Sequence, residues 1–217
     1  MTAPARRTQT QRREGTIAAV VDAAVEALGE VGYAGTTTAE ISRRSGVSQG
    51  GLFRHFETRL DVMVAAADAV RARQFIDFRS GLASLETFDL AEAVRLLRRA
   101  TRAPINAAWY ELVLAARTDA DLRARLEPLA QRYHREIIEI GRALPFAAAM
   151  ATEELDTFVL GVVHMLDGEA LMATVHPHPE QEDVRVAQLV RILAGEPLFR
   201  SSGEIPSGSE RGSDGGS

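Results

Sequence analysis

Residues 36–59, TTTAEISRRSGVSQGGLFRHFETR, constrain the fold more than any other stretch of the 217-residue chain. Thr37 stands three residues before Glu40, and this spacing predicts a capping box at the start of a short helix. Gly46 can adopt the left-handed backbone that ends a helix, and Ser48 can cap the next one. The stretch therefore predicts two short helices joined by a glycine turn.

The remaining chain is also predicted to be helical. Apolar residues recur at intervals of three and four, and no segment alternates with the period of two that a strand requires. Gly32 and several prolines mark the breaks between helices. The predicted helices span residues 14–31, 37–45, 49–55, 59–80, 89–101, 105–117, 119–143, 152–174 and 181–194. The predicted fold class is all-α, with a three-helix N-terminal module joined by a long helix to a larger helical domain.

Charge is distributed unevenly along the chain. The net charge is -5, yet residues 1–60 hold eight Arg and six acidic residues, a balance of +2 that leaves -7 for the rest. Residues 1–13 contain four of these Arg and no acid. A local basic segment on an acidic protein is typical of nucleic-acid binding, in which the distribution of charge matters more than its sum. We therefore interpret residues 1–13 as a flexible basic arm.

Composition excludes several classes of protein. The chain contains no Cys, which excludes disulfides, thiol nucleophiles and zinc–thiolate sites. No apolar run reaches the roughly 18 residues of a membrane span. We therefore expect a cytoplasmic protein that has no membrane partner.

The N-terminal stretch closely resembles the TetR family of transcriptional regulators, over about residues 14–74. The residues that carry the resemblance are Gly32-Tyr33-Ala34-Gly35-Thr36-Thr37, Ile41-Ser42, Ser45-Gly46-Val47-Ser48, Gly51-Leu52-Phe53 and His55-Phe56. The resemblance implies a helix-turn-helix over residues 37–56, with its second helix in the DNA major groove. The implied DNA-binding residues are Thr38, Arg44, Ser48, Gln49, Gly50, Gly51, Phe53, Arg54, His55 and Arg59.

These residues differ in the contact expected of them. Gln49 and Arg54 have side chains that suit base edges, because Gln pairs with adenine and Arg with guanine. Arg59 replaces the Lys of many family members and is expected to contact phosphate at a helix N-terminus. His55 is equally suited to packing or to a phosphate contact.

By the same resemblance, residues 75–200 form a ligand-binding and dimerisation domain, followed by a disordered tail at 201–217. The implied function is a repressor that leaves a pseudo-palindromic operator when a small molecule binds, although activation stays open. Residues 152–194 are expected to form the homodimer contact. The ligand is expected to be apolar or aromatic, and the predicted lining residues are Phe75, Phe78, Trp109, Tyr110, Tyr133, His134, His164 and Met165.

Two other functions were weighed against this interpretation. A ligand-binding helical protein with a vestigial DNA module is disfavoured by the intact arm and helix caps. An enzyme is disfavoured because His164, Asp167 and Glu169 have spacings common on amphipathic helices, and no nucleophile elbow or phosphate loop occurs. His176 and His178 lie in a proline-rich loop, so no metal site and no cofactor are expected.

Overall fold

The computed structural model describes residues 8–194, and this part of the chain contains nine α-helices and no strand. The helices are α1 (Gln9–Gly35), α2 (Thr38–Ser45), α3 (Gln49–Leu52), α4 (Arg59–Ala83), α5 (Leu90–Thr101), α6 (Asn106–Ala116), α7 (Ala120–Arg142), α8 (Thr152–Ala173) and α9 (Glu182–Leu193). Short 3-10 helices, Pro145–Ala149 and Pro179–Gln181, precede α8 and α9. The predicted all-α fold class is confirmed.

The first helix begins earlier than the predicted residue 14. Thr8 caps α1 by accepting a hydrogen bond from the Gln11 main-chain N–H, and the Gln11 side chain accepts one from the Thr8 N–H in return. Arg12 and Arg13, which the sequence placed in a flexible arm, are therefore helical residues. Residues 1–7 of that arm and the predicted tail at 201–217 lie outside the described residues.

Gly32 interrupts α1 close to where the helix was predicted to end. Its φ of 71° lies in the left-handed region, which favours glycine, and one further turn follows before the helix ends at Gly35. A Cβ at Gly32 would lie 3.0 Å from Oε2 of Glu111 in α6. The same carboxylate oxygen accepts a hydrogen bond of 3.2 Å from the Tyr33 N–H. Glycine thus allows the end of α1 to approach α6 closely.

The largest apolar cluster, here the DNA-side core, joins the first four helices to α6 and α7. Leu28, Ile41, Leu52 and Met63 are fully buried in it. Contributions from Leu112 of α6 and from Leu122 and Leu126 of α7 extend it past residue 74, the predicted domain boundary. The DNA-reading helices therefore share one core with part of the C-terminal region.

The apolar residues beyond this core form two smaller clusters, here the cavity-side core. One joins Val94, Val162, Leu166, Val186 and Leu189 of α5, α8 and α9. The other joins Phe75, Ile137 and Val163 of α4, α7 and α8. Both clusters border the same internal cavity, because Val94, Val162, Phe75, Ile137 and Val163 all line it.

Helix α7 takes part in both cores and carries a proline within it. Leu122, Leu126 and Leu129 pack in the DNA-side core, whereas Ile137 packs in the cavity-side core. Pro128 lies between Leu126 and Leu129 of the DNA-side core and has no N–H, so the helix lacks one main-chain hydrogen bond near its first third.

Candidate DNA-binding and ligand sites

The helix-turn-helix is held by caps and by a few buried side chains. The Thr37 hydroxyl accepts a 3.1 Å hydrogen bond from the Glu40 N–H, and the Ser48 hydroxyl accepts one of 3.1 Å from the Gly51 N–H. Gly46 has a φ of 67° and turns the chain between α2 and α3. The capping box predicted at Thr37 is only half formed, because the Glu40 carboxylate pairs with Arg43 and Arg44 instead of the Thr37 N–H.

Half of the predicted DNA-binding residues lie together on one exposed surface. Ser48, Gln49, Gly50, Phe53 and Arg54 are all exposed at α3 and the turn that follows it. Phe53 is 47% exposed although its side chain is large and apolar. Helix α3 is also shorter than predicted, since it ends at Leu52 and not near residue 55. A short helix with free side chains at its first turn can enter a groove end-on.

The remaining residues of the predicted interface are less accessible. Thr38, Gly51 and His55 are partly buried. The buried Nδ1 atom of His55 has no hydrogen-bond partner among the described residues. A Cβ at Gly51 would lie 3.0 Å from the Val47 side chain, so this glycine lets α3 pack closely against the turn.

Two predicted phosphate-binding arginines are already bonded within the chain. Arg44 donates at 2.7 Å to Glu40 and at 2.7 Å to Glu30. Arg59 donates at 2.7 Å to the Thr36 carbonyl and also to the Tyr33 carbonyl, and it stacks 4.3 Å over the Tyr33 ring. Their contacts with phosphate stay predictions, but neither guanidinium is presented as a free charge. Arg59 instead closes the C-terminal end of α1 onto the start of α4.

An apolar cavity of about 100 Å³ lies between α4, α5, α7 and α8. Three of the residues predicted to contact a ligand, Phe75, Phe78 and Tyr133, line it. The other lining residues are Gln74, Leu90, Ala93, Val94, Leu97, Ala100, Thr101, Ile137, Ile140, Gly141, Leu144, Phe146, Phe158, Val159, Val162 and Val163.

Five of the predicted ligand residues do not line the cavity. Trp109 packs against the DNA-side core, with its ring 5.7 Å from that of Tyr133. Tyr110 is occupied by hydrogen bonds, as described below, and Met165 is 48% exposed on the outside of α8. His134 and His164 face each other outside the cavity, with their Nε2 atoms 3.3 Å apart.

The cavity wall is almost entirely apolar. Its only polar side chains are those of Gln74, Thr101 and Tyr133, and no charged side chain lines it. Burial, and secondarily the charge of Asp167, raises the pKa of Tyr133 well above its usual range. Its phenol therefore stays neutral and can serve as a hydrogen-bond donor. Such a wall suits a neutral apolar guest and disfavours an ion.

A chain of hydrogen bonds connects the cavity wall to α6. The Gln74 amide donates to Asn106, whose own amide donates at 2.6 Å to the Ala100 carbonyl. The Tyr110 hydroxyl lies 2.9 Å from both the Thr101 carbonyl and Asp167. Burial raises the pKa of Asp167, and the hydrogen bond from Tyr110 partly offsets this effect. Because Asn106 is almost fully buried, these bonds are protected from water.

A second set of contacts connects the end of α1 to α6 and α7. The Tyr33 N–H donates to Glu111, and the Tyr33 hydroxyl donates at 2.9 Å to Asp119. Asp119 also caps α7 by accepting from the Leu122 N–H. Since Arg59 stacks on the same tyrosine, Tyr33 joins α1, α4, α6 and α7.

One face of α8 is apolar and uncovered in the single chain. Met165 and Met172 are exposed, and Gly161 and Gly168 have no atom within 4 Å of a Cβ built on them. The intervals of three and four between these four residues place them on one side of the helix, and the exposed Val175 follows in the turn after α8. On α9, Val184 is likewise 57% exposed.

An adjacent side of α8 is tied to α5 and α9 by ion pairs. Glu169 accepts hydrogen bonds of 2.5 Å from Arg98 and 3.0 Å from Arg102, and it lies 3.1 Å from Arg185. Burial alone would raise the pKa of Glu169, but the hydrogen bonds from Arg98 and Arg185 outweigh burial and hold the pKa below its usual value. This ion cluster fixes α8 against its neighbours.

Comparisons with known proteins agree with this arrangement. The family model described as bacterial regulatory proteins, tetR family, matches residues 20–66. An uncharacterized HTH-type transcriptional regulator of Mycobacterium tuberculosis is 40% identical over 189 residues, covering 86% of this chain and 97% of that protein. No helix within residues 8–194 is long and apolar enough to cross a membrane.

Solved structures show the same fold. A TetR-family member from Streptomyces coelicolor has a TM-score of 0.62 and 25% identity, covering 82% of this chain and 97% of that one. The multidrug binding protein EbrR in complex with ethidium has a TM-score of 0.62 and 24% identity, covering 85% and 99%. Proteins of this kind regulate transcription by binding DNA and are not enzymes. The chain belongs to the TetR family of transcriptional regulators.

Proposed function

We propose that this regulator is a homodimeric repressor that releases a pseudo-palindromic operator when a small, neutral, apolar or aromatic molecule enters the cavity. The observation that carries the proposal is the apolar cavity built partly from α4. The same helix contributes Gln74, Phe75 and Phe78 to the cavity wall and begins at Arg59, beside the helix-turn-helix. A DNA-bound regulator of this kind acts in the cytoplasm.

The size and chemistry of the cavity support this class of ligand. An engineered apolar cavity of roughly 150 Å³ binds benzene, so the roughly 100 Å³ present here suits one small ring and must widen for anything larger. EbrR binds ethidium, a cationic dye. The cavity of this chain has no acidic side chain on its wall to balance such a charge. We therefore expect it to prefer neutral molecules.

Widening of the cavity by a ligand would connect ligand binding to the DNA-binding helices. A guest that displaces α4 at Gln74 and Phe75 moves the helix that starts at Arg59, and it disturbs the Gln74–Asn106 hydrogen bond to α6. By linkage, a ligand that prefers the displaced state lowers operator affinity by the same factor by which DNA lowers ligand affinity.

The decisive experiment titrates the DNA upstream of the regulator's own gene in the presence and absence of toluene as a neutral aromatic probe. We expect toluene to weaken binding in the wild type, and ethidium to have a smaller effect. In Ala93→Leu the added side chain fills cavity space, so DNA binding should persist while the toluene effect is lost. Undiminished toluene sensitivity in Ala93→Leu, or greater sensitivity to ethidium than to toluene, would contradict the proposal.

The exposed face of α8 supports dimerisation. Met165, Met172 and Val175, together with the open positions at Gly161 and Gly168, would let a second copy of α8 approach closely. Val163 is not part of this face, because it is buried in the cavity wall. Two copies would present two α3 helices to one side of the DNA, which accounts for a pseudo-palindromic operator.

Sedimentation velocity tests this arrangement. The wild type should sediment as a dimer, and Met172→Arg should shift toward the monomer because it places an unpaired charge in the interface. Ile76→Arg is the matched control, since Ile76 is 64% exposed on α4, away from the proposed face. A dimeric Met172→Arg variant, or a monomeric Ile76→Arg variant, would place the interface elsewhere.

A further inference from the structure

Two histidines from different helices meet outside the cavity. His134 of α7 and His164 of α8 place their Nε2 atoms 3.3 Å apart, with the ring planes at 64°. At this distance one nitrogen must carry the proton and the other must accept it, since two N–H groups cannot point at each other. The two Nε2 atoms therefore share one proton between them.

The separation also equals that of two ligands on a tetrahedral metal ion. Zinc binds histidine nitrogen at about 2.0–2.1 Å, and tetrahedral angles then place two such nitrogens about 3.3–3.4 Å apart. A cation can thus take the place of the shared proton with little movement of either side chain. Imidazole nitrogen suits Zn²⁺, Cu²⁺ and Ni²⁺ and suits Mg²⁺ or Ca²⁺ poorly.

We propose that His134 and His164 form a binding site for a divalent transition-metal ion such as Zn²⁺. Within residues 8–194, no group of three His, Asp or Glu side chains is placed to hold a metal. Water therefore completes the coordination of the two Nε2 atoms. The sequence did not suggest this site because His134 and His164 are 30 residues apart.

The site lies directly behind the cavity wall. Tyr133 and Val163, which precede the two histidines in the chain, both line the cavity. A bound ion would link α7 to α8 at this level and oppose their separation. A metal ion at this site would therefore affect the helices around the cavity independently of the proposed organic ligand.

The other histidine pair of the chain provides a control. His176 and His178 have ring centroids 4.1 Å apart, but both belong to the loop before α9. His178 already pairs through Nδ1 with Glu180 at 3.1 Å. A metal on this loop would not link two helices, so the two pairs can be distinguished by mutation.

The test is calorimetric titration of ZnCl₂ into untagged full-length protein from which metal has been removed with a chelator. We expect one Zn²⁺ per chain in the wild type and in His176→Ala/His178→Ala. His134→Ala and His164→Ala should each bind about 100-fold more weakly, because a chelating pair becomes a single ligand. Absence of binding to the wild type, unchanged affinity in either single variant, or loss of binding in the loop variant would overturn the proposal.

Thermal unfolding supplies a second measurement. Zn²⁺ should raise the melting temperature of the wild type and of the loop variant, because a ligand that binds the folded state stabilises it. It should leave that of His164→Ala unchanged. His164 is exposed, so its replacement should not itself prevent folding. An equal Zn²⁺-induced rise in His164→Ala would place the ion elsewhere and overturn the assignment.

Discussion

The DNA-side core and the cavity-side core are built from the same kinds of apolar residue but are packed to different degrees. In the DNA-side core, Leu28, Ile41 and Leu52 are fully buried, and the helices carrying them are capped. The cavity-side core is divided into two clusters around unfilled space. Close packing stabilises one geometry, whereas a cavity forfeits packing contacts and leaves room for a guest. The molecule thus keeps its DNA-reading end rigid and gives up stability where it can change.

The largest expected effect comes from truncating the same side chain in each core. Leu28→Ala should lower the free energy of unfolding by about 3–5 kcal/mol, because the packed surroundings cannot collapse into the space. Leu97→Ala, at the cavity wall, should cost less, about 2 kcal/mol, because Leu97 already borders empty space. Urea unfolding of both variants measures the difference. Equal losses would mean that the two cores are packed alike.

A somewhat smaller effect is expected from the ion cluster that holds the cavity-side helices together. Glu169→Gln leaves Arg98, whose side chain is 8% exposed, with Glu182 as its remaining acidic partner and should cost about 2 kcal/mol at neutral pH. Glu92→Gln is the control. Its partner Arg95 is 39% exposed, so the loss should stay below about 1 kcal/mol.

The same variant has a defined pH dependence. The pKa of Glu169 is lower in the folded chain than its ordinary value of 4.5, so its charge stabilises the fold above that pH and the contribution fades as the pH falls below it. The stabilities of wild type and Glu169→Gln should therefore converge on the acid side. Parallel curves of unfolding free energy from pH 7 down to the acid range would contradict the sign of this shift.

The smallest expected effect on stability, about 1 kcal/mol, is that of Tyr33→Phe, which removes the hydrogen bond to Asp119 and keeps the ring beneath Arg59. The same variant should also reduce the coupling between toluene binding in the cavity and operator binding. If the contacts of Tyr33 connect the two cores, toluene should weaken operator binding less in Tyr33→Phe than in wild type. Fluorescence anisotropy of labelled DNA measures this, and an unchanged toluene effect would show that the signal does not pass through this hydroxyl.

Local chemistry made part of this structure predictable from the sequence. The caps at Thr37, Ser48 and Thr58 each involve a hydroxyl and an N–H three residues away, so the pattern is visible in the chain itself. The apolar repeats and the caps together located every α-helix of residues 8–194, with the largest errors at the two ends of α1. The exposed surface around Gln49 and Arg54 followed from the same local pattern.

The lining of the cavity was predicted less well because it depends on which helices meet. Phe75 and Tyr133 were found as aromatic residues, but Trp109, equally aromatic, packs against the DNA-side core. Phe146 and Phe158 line the cavity from positions that carry no local signal of it. The phosphate contact of Arg59 stays a prediction, but its hydrogen bonds to the carbonyls of Tyr33 and Thr36 at the end of α1 were not foreseen. Contacts between distant segments decided each of these cases.

Pro128 has a mechanical consequence for how a disturbance spreads through α7. A helix that lacks one main-chain hydrogen bond bends more readily at that point. We therefore expect α7 to bend near Pro128, between its capped start and the cavity wall. If a guest displaces Ile137, we then expect bending of α7 to leave Leu122 displaced less than Ile137. Helix α4 has no proline between Arg59 and Phe75, so we expect it to bend less than α7. Of the two helices that touch both cores and the cavity, we therefore expect α4 to pass a displacement at the cavity to the DNA-side core more directly than α7 does.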